Sequence, residues 1–216
     1  MSHAAQREQI CLFGRSLFER GLTPGSSGNI SVRLDDGSWL VTPTDSSLGF
    51  LDPAALAHLD AAGRLLSGDP PTKEVALHAA FYETRTRAGA VVHLHSVHSV
   101  AVTLLPDLDP ADPLPPLTPY GLMKVGTPAL LPYYRPGDPA GADAIRGLAG
   151  RHTAVLLANH GPVVAGADLK AAVFAIEELE ESARLALLMR GLNPCGLTDA
   201  QIAELIALFG LTDVRR

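Results

Sequence analysis

An α/β sandwich around one mostly antiparallel sheet is the architecture this chain predicts. Helical periodicity near both ends brackets short apolar or alternating segments of strand length. These strands and helices follow no regular βαβ period, which disfavours a purely parallel sheet. The length of 216 residues, 47% of them hydrophobic, suits one domain over residues 1–216 with a core of its own.

From Ala4 to Gly21, residues Ile10, Phe13, Leu17 and Phe18 fall at helical spacing and Gly21 supplies the stop, so an amphipathic helix lying on the sheet is expected. Thr23 to Asn29 is a turn of small residues. It feeds the alternating stretch Ile30-Ser31-Val32-Arg33-Leu34, and Trp39-Leu40-Val41 follows Asp36-Gly37, the pattern of a β-hairpin. A second loop spans Thr42 to Gly49, a short helix is expected near Pro53 to Ala57, and a third loop runs from Ser67 to Thr72. Pro70-Pro71 then leads into a helix reaching about Thr86, with Thr72 as its N-cap.

Ala90 to Leu94 and Thr153 to Ala158 are short apolar runs suited to buried strands, with histidine at the end of each. Between them, the Pro-rich stretch from Pro106 to Pro139 carries Tyr120, Met123, Val125, Leu130, Leu131, Tyr133 and Tyr134. That is too apolar for a disordered tether, and it reads as ordered irregular structure with one or two short strands. A long helix from Ala167 to Arg190 is acidic in its middle, at Glu177, Glu178, Glu180 and Glu181, which reads as a solvated or intersubunit face. Gly191 ends it, and a final helix starts near Thr198.

Charge and cysteine content exclude several function classes. With 17 basic against 23 acidic residues the formal net charge is -6, and no nucleic-acid partner is expected, because such recognition needs a basic patch. No apolar run is long enough to cross a bilayer, so no membrane partner is expected either. Cys11 and Cys195 have neither metal nor redox spacing, and the N-terminus lacks the positive-then-apolar pattern of a signal peptide. A cytoplasmic setting is expected, with both thiols as packing residues.

The strongest chemical signal is His93-Leu94-His95. Residues two apart on a strand share a face, so both imidazoles can converge on one ion while Leu94 points into the core. The second apolar strand ends in His160-Gly161 and can deliver a third imidazole beside them. Three histidines with an open position suit a catalytic zinc, although Mn²⁺ or Co²⁺ would also accept them. Glu74, placed in the first turn of its helix, is a fourth ligand or a general base. His78, one turn further on, and His98 read as supporting or core histidines rather than ligands. The loop Gly25-Ser26-Ser27-Gly28-Asn29, together with Thr42-Pro43-Thr44 and Thr72-Lys73, offers backbone N–H groups and hydroxyls that could form an anion pocket or could be ordinary turns.

Gly28-Asn29-Ile30-Ser31-Val32-Arg33, Thr42-Pro43-Thr44, Lys73-Glu74, Val92-His93-Leu94-His95-Ser96 and Asn159-His160-Gly161 together resemble the class II aldolase family. The match runs from about Cys11 to Arg190. The resemblance implies a three-layer α/β/α domain in a homotetramer with active sites between subunits. It further implies zinc on His93, His95 and His160, and Glu74 as an acid/base that also touches the resting metal. Substrate phosphate would lie on Gly28, Asn29, Thr44 and Thr72, to which the loop reading adds Ser27 and Lys73, and Tyr120 would donate a proton.

Ser46-Ser47, Leu66-Ser67-Gly68-Asp69, Thr118-Pro119-Tyr120, Lys124-Val125-Gly126, Pro132-Tyr133-Tyr134-Arg135-Pro136-Gly137 and Glu177-Glu178-Leu179-Glu180-Glu181 look like the 3-oxo-tetronate 4-phosphate decarboxylases within that family. The activity implied is conversion of a phosphorylated sugar acid to dihydroxyacetone phosphate and CO2 through a metal-stabilised enediolate. A sugar-phosphate aldolase or 4-epimerase is the alternative, and a non-catalytic scaffold resembling the adducin head is a third reading that expects the metal histidines to be missing. One departure stands out: Asp45 occupies a position where family members commonly carry glycine, beside the expected phosphate. Either it turns away, or Lys73 or Arg135 compensates it, or the substrate is unphosphorylated.

Overall fold

The computed structural model describes residues 3–214. Among them, helices α1 (Ala4–Glu19), α2 (Val75–Thr84), α3 (Val97–Thr103), α4 (Pro119–Lys124), α5 (Pro139–Gly147), α6 (Leu169–Met189) and α7 (Asp199–Phe209) accompany strands β1 (Asn29–Arg33), β2 (Trp39–Val41), β3 (Ala57–Leu59), β4 (Leu65–Ser67), β5 (Ala90–His93), β6 (Ala129–Leu131), β7 (Ala154–Leu157) and β8 (Gly161–Gly166). The strands form one sheet in the order β4-β3-β2-β1-β5-β8-β7-β6. Every neighbouring pair is antiparallel except β6 and β7, as the mostly antiparallel expectation requires.

Strand alternation sorts the core into two faces. Ala90, Val92 and Leu94, with Ile30, Leu156 and Val164, pack with α1 residues Ile10 and Leu17 and α6 residues Val173, Ile176 and Leu179. Val91, Val155, Leu157, Val163 and Ala165 point the other way, onto Leu77 and Phe81 of α2 and Ala142 and Ile145 of α5. Helices therefore cover both faces, giving three layers. This parity governs the chemistry, since odd-numbered β1 and β5 residues all face α2.

Four elements depart from the sequence expectation. No helix forms near Pro53 to Ala57. The chain turns there because the buried Arg7 guanidinium holds the carbonyls of Pro53 and Leu56, each at 2.8 Å, and Ala57 enters β3 opposite Val41. A segment this short also gains too few helical bonds to offset nucleation. Strand β4 is exposed throughout and lacks the alternation that betrays a strand. Strand β8 begins Gly-Pro, a pair that ordinarily argues against an interior strand. The Pro-rich stretch holds one short strand, β6, as expected, but departs in being helical at α4; α4 and α5 each start on proline in the first turn, with Thr118 and Asp138 as side-chain caps.

The acidic run on α6 is not uniformly solvated or intersubunit. Glu180 is buried and accepts four hydrogen bonds at the start of α3, from the His98 and Ser99 backbone N–H groups, both at 2.8 Å, and from His98 Nδ1 and Ser99 Oγ, both at 2.7 Å. A carboxylate there balances the positive end of the helix and locks the segment that follows His95.

Candidate metal centre

His93 is the last residue of β5 and faces α2 with Val91, while His95 lies just beyond the strand end. His160 arrives on the short connection between β7 and β8, where Leu157 pairs with Gly161 and the His160 N–H donates to the Leu157 carbonyl at 3.1 Å. Asn159 takes the left-handed conformation the turn needs (φ 60°), and its N–H donates to Thr103 Oγ1 at 3.0 Å. Gly161 lets this hairpin close on β5, since a Cβ there would lie 2.2 Å from the Leu94 carbonyl oxygen.

Glu74 sits at the N-cap of α2 rather than in its first turn, and Thr72 is not the cap itself. Two prolines ahead keep the chain extended, so Thr72 instead accepts the Glu74 N–H on Oγ1 at 3.3 Å, a turn that aims the carboxylate back at the sheet.

Four side chains thus meet at one point. His93 Nε2 lies 3.1 Å from His95 Nε2 and 3.3 Å from His160 Nε2. Glu74 Oε2 is 3.3 Å from His93 Nε2, Glu74 Oε1 is 3.4 Å from His160 Nε2, and the ligand atoms all lie within 4.8 Å of one another. His93 Nδ1 is 2.8 Å from the Pro162 carbonyl oxygen, which can only accept, so the hydrogen-bond pattern assigns the proton to Nδ1 and a lone pair to Nε2. Burial, followed by the neighbouring His93, lowers His95 and His160 to about 4, and both are neutral at pH 7. Burial raises the Glu74 carboxyl, but His93, the Asn29 amide and His160 more than offset it, and the group stays below its ordinary range.

The donor set fits a divalent cation. Glu74 Oε1 is buried without a hydrogen-bond partner, although a buried carboxylate oxygen left so is costly. One N–H from His95 or His160 can satisfy His93 Nε2, but Glu74 Oε1, 3.4 Å from His160 Nε2, still receives no hydrogen bond. An ion among three imidazoles and a carboxylate would satisfy all of them at once.

The loops read as an anion pocket assemble only in part. Thr42–Thr44 and Pro70–Thr72 are stitched together through a bridge between Pro43 and Pro71, the Thr44 N–H to the Pro70 carbonyl at 2.9 Å and the Thr72 N–H to the Thr42 carbonyl at 3.1 Å. Gly28 (φ 80°) packs against the end of β5, where a Cβ would lie 3.0 Å from the His93 carbonyl oxygen. The Ser27 hydroxyl, however, donates to the Pro24 carbonyl at 2.6 Å and holds its own turn. The Asn29 amide donates to Glu74 Oε2 at 2.8 Å and accepts from His78 Nε2 at 2.6 Å, so that side chain serves the metal cluster.

Asp45 explains its own departure. Its backbone is left-handed (φ 54°), a conformation in which glycine is unstrained and aspartate tolerated, and its side chain is 80% exposed and 3.7 Å from Lys73 Nζ. A solvent-screened pair of this kind is worth at most about 1 kcal/mol. Asp45→Gly is therefore expected to leave the inhibition constant of inorganic phosphate unchanged. A clear tightening in a competition assay would show that the carboxylate does bear on the anion.

Tyr120 is 61% exposed and lines a depression of about 570 Å³ with Arg20, Lys124 and Glu177, none of which belongs to the cluster. His98 is held by Glu180 and is no ligand, and buried His78 supports Asn29. Sequence reasoning missed Ser31, Tyr82 and Pro162. The first two were recoverable: Ser31 follows Asn29 by two on a strand, and Tyr82 follows Glu74 by eight on a helix.

Residues 8–187 match the class II aldolase and adducin N-terminal domain family, and the chain belongs to it. With the ligand cluster present, it is a metal-dependent lyase of that family. Among its relatives is the 3-oxo-tetronate 4-phosphate decarboxylase of Cupriavidus necator, 54% identical over 85% of this chain and 84% of the relative. The enzyme of the same name from Haemophilus influenzae is 47% identical over 95% and 98%. The crystal structure of YgbL from Escherichia coli superposes with a TM-score of 0.92 at 45% identity, covering 95% of this chain and 99% of that one.

Proposed function

We propose that the chain decarboxylates 3-oxo-tetronate 4-phosphate to dihydroxyacetone phosphate and CO2, using zinc held by His93, His95 and His160 and, at rest, by Glu74. The observation that carries this reading is the convergence of the three imidazoles on a carboxylate with an unpartnered oxygen. The names of the relatives supply the substrate.

The substrate is a β-keto acid. When the bond to its carboxylate breaks, CO2 leaves without a proton transfer and the electron pair remains as an enediolate. A bound divalent ion supplies Lewis-acid stabilisation of that charge. The protein must then deliver one proton to the carbon that lost CO2: the Tyr120 hydroxyl would donate its own, whereas Glu74, ionised at rest, would relay one that it first takes from water. What supports Glu74 in this role is its unpartnered Oε1, which faces His160 and is not tied up by Asn29.

Gly28, Thr44, Thr72 and Lys73 would hold the phosphate, with Asn29 and Ser27 contributing through their backbone, since their side chains are engaged elsewhere. Tyr120 would act from a neighbouring subunit of a homotetramer in the cytoplasm, with residues 1–216 working as one domain. The exposed Tyr120, and α7, which has no fully buried residue and carries Leu208 and Phe209 on its surface, support such contacts. No helix among the described residues is long and apolar enough to cross a membrane.

The test is to supply 3-oxo-tetronate 4-phosphate to metal-loaded enzyme and quantify CO2 and dihydroxyacetone phosphate. Both products are expected in equal amounts. Metal-loaded enzyme that releases no CO2 would refute the decarboxylase and move the aldolase reading forward.

A further inference from the structure

Beyond the cluster, a line of buried polar side chains runs from Glu74 into the layer between α2 and the sheet. Asn29 Nδ2 donates to Glu74 Oε2 at 2.8 Å, Asn29 Oδ1 lies 2.6 Å from His78 Nε2, His78 Nδ1 lies 2.7 Å from Ser31 Oγ, and Ser31 Oγ lies 2.7 Å from the Tyr82 hydroxyl. All five residues are buried, with Ser31 and His78 at 0% exposure. The line exists because two periods match. Glu74, His78 and Tyr82 repeat every four helical residues, about 6 Å, and Asn29 and Ser31 repeat every two strand residues, about 6.7 Å, so their side chains meet rung by rung.

Its direction follows from one end. A carboxylate only accepts, so Asn29 must turn its NH2 to Glu74 and its oxygen to His78. His78 Nε2 must then carry the proton, Nδ1 must accept from the Ser31 hydroxyl, and Ser31 must accept from Tyr82. Burial lowers His78 to about 3 and raises Tyr82, so the imidazole stays neutral, with a single N–H, and the phenol stays a donor. Donors in series polarise one another toward the carboxylate.

We propose that His78 is a positioning residue for Glu74: its N–H, oriented by Ser31 and Tyr82, fixes the Asn29 amide so that one carboxylate oxygen is pinned and Oε1 alone is left for the metal and the proton. This rests on the metal-centre reading above. If the N–H of His78 is lost, or if its tautomer flips, Asn29 can rotate and present its oxygen to Glu74, setting two acceptors against each other in a buried site.

The test compares His78→Leu, His78→Gln and Ser31→Ala with the wild type, using Co²⁺ alone as a probe by visible absorption titration, alongside kcat, KM and melting temperature. Partners of this kind are worth about 10- to 100-fold in metal affinity or activity. His78→Leu and Ser31→Ala are expected to weaken Co²⁺ binding and lower kcat by that factor with KM little changed. His78→Gln, which keeps an N–H toward Asn29, should recover most of the loss. Equal behaviour of folded His78→Leu and His78→Gln would reduce His78 to packing and overturn the proposal. Should His78→Leu not fold, wild-type Co²⁺ affinity in Ser31→Ala would overturn it as well. A wild type that binds no Co²⁺ would instead remove the metal-centre reading, and the proposal with it.

Discussion

Glu74→Gln is expected to keep its metal and lose turnover by about 10²- to 10⁴-fold, the range a positioned acid/base contributes. The reason lies in the Asn29 amide, which donates to Glu74 Oε2. A glutamine in this place must give its one oxygen to Asn29, so its NH2 group takes the position of Oε1, where it can neither accept nor relay a proton. Three imidazoles remain to hold the ion. His93→Ala is the contrasting variant: it removes the imidazole that touches both partner histidines and Glu74, and both metal and activity should go. Metal content by atomic emission beside steady-state rates separates the two. Full activity in Glu74→Gln would take this residue out of the reaction.

The second large effect is expected from a single methyl group. Gly161 has a φ of 151°, and a Cβ there would lie 2.2 Å from the Leu94 carbonyl oxygen and 3.2 Å from the His95 Cα. These neighbours are backbone atoms, so relief requires that β8 move away from β5 or that His95 shift. Overpacking and backbone strain together should cost about 3 kcal/mol or more in Gly161→Ala. For a chain of this size that corresponds to a melting temperature lower by about 6–12 °C. Because the displaced atoms carry His95 and His160, metal affinity should fall too. Gly191→Ala is the control: its φ of 78° is also left-handed, but nothing lies within 4 Å of the added Cβ. It should cost about 1 kcal/mol and leave metal binding untouched. Unaltered affinity in Gly161→Ala would mean that the site tolerates a looser hairpin.

Much of the centre was legible because it obeys local periodicities. His93 and His95 share a face by strand alternation, and Glu74, His78 and Tyr82 share one by helical repeat. Where the sequence misled, a distant partner had overridden the local pattern. Pro53 to Ala57 reads as helical until Arg7, 46 and 49 residues away from the carbonyls it holds, claims Pro53 and Leu56. Glu180 reads as one more solvated acid until α3 packs over it. The Asn29 side chain reads as part of an anion loop until Glu74 and His78, 45 and 49 residues away, engage it, which leaves its backbone for an anion.

The sequence by itself determined which residue types stand at which parity: imidazoles on the α2 face of β5, a carboxylate at the start of α2, and a glycine where the β7–β8 hairpin must close. Only the tertiary structure decided that these meet, that Glu74 retains an unpartnered oxygen, and that Asn29 turns inward. The physical reason is that parity is local, set by dihedral angles within a few residues, whereas hydrogen-bond partners are chosen among groups that become neighbours only when the chain is packed. Asn29 and Glu74 are 45 residues apart, and His93 and His160 are 67 apart.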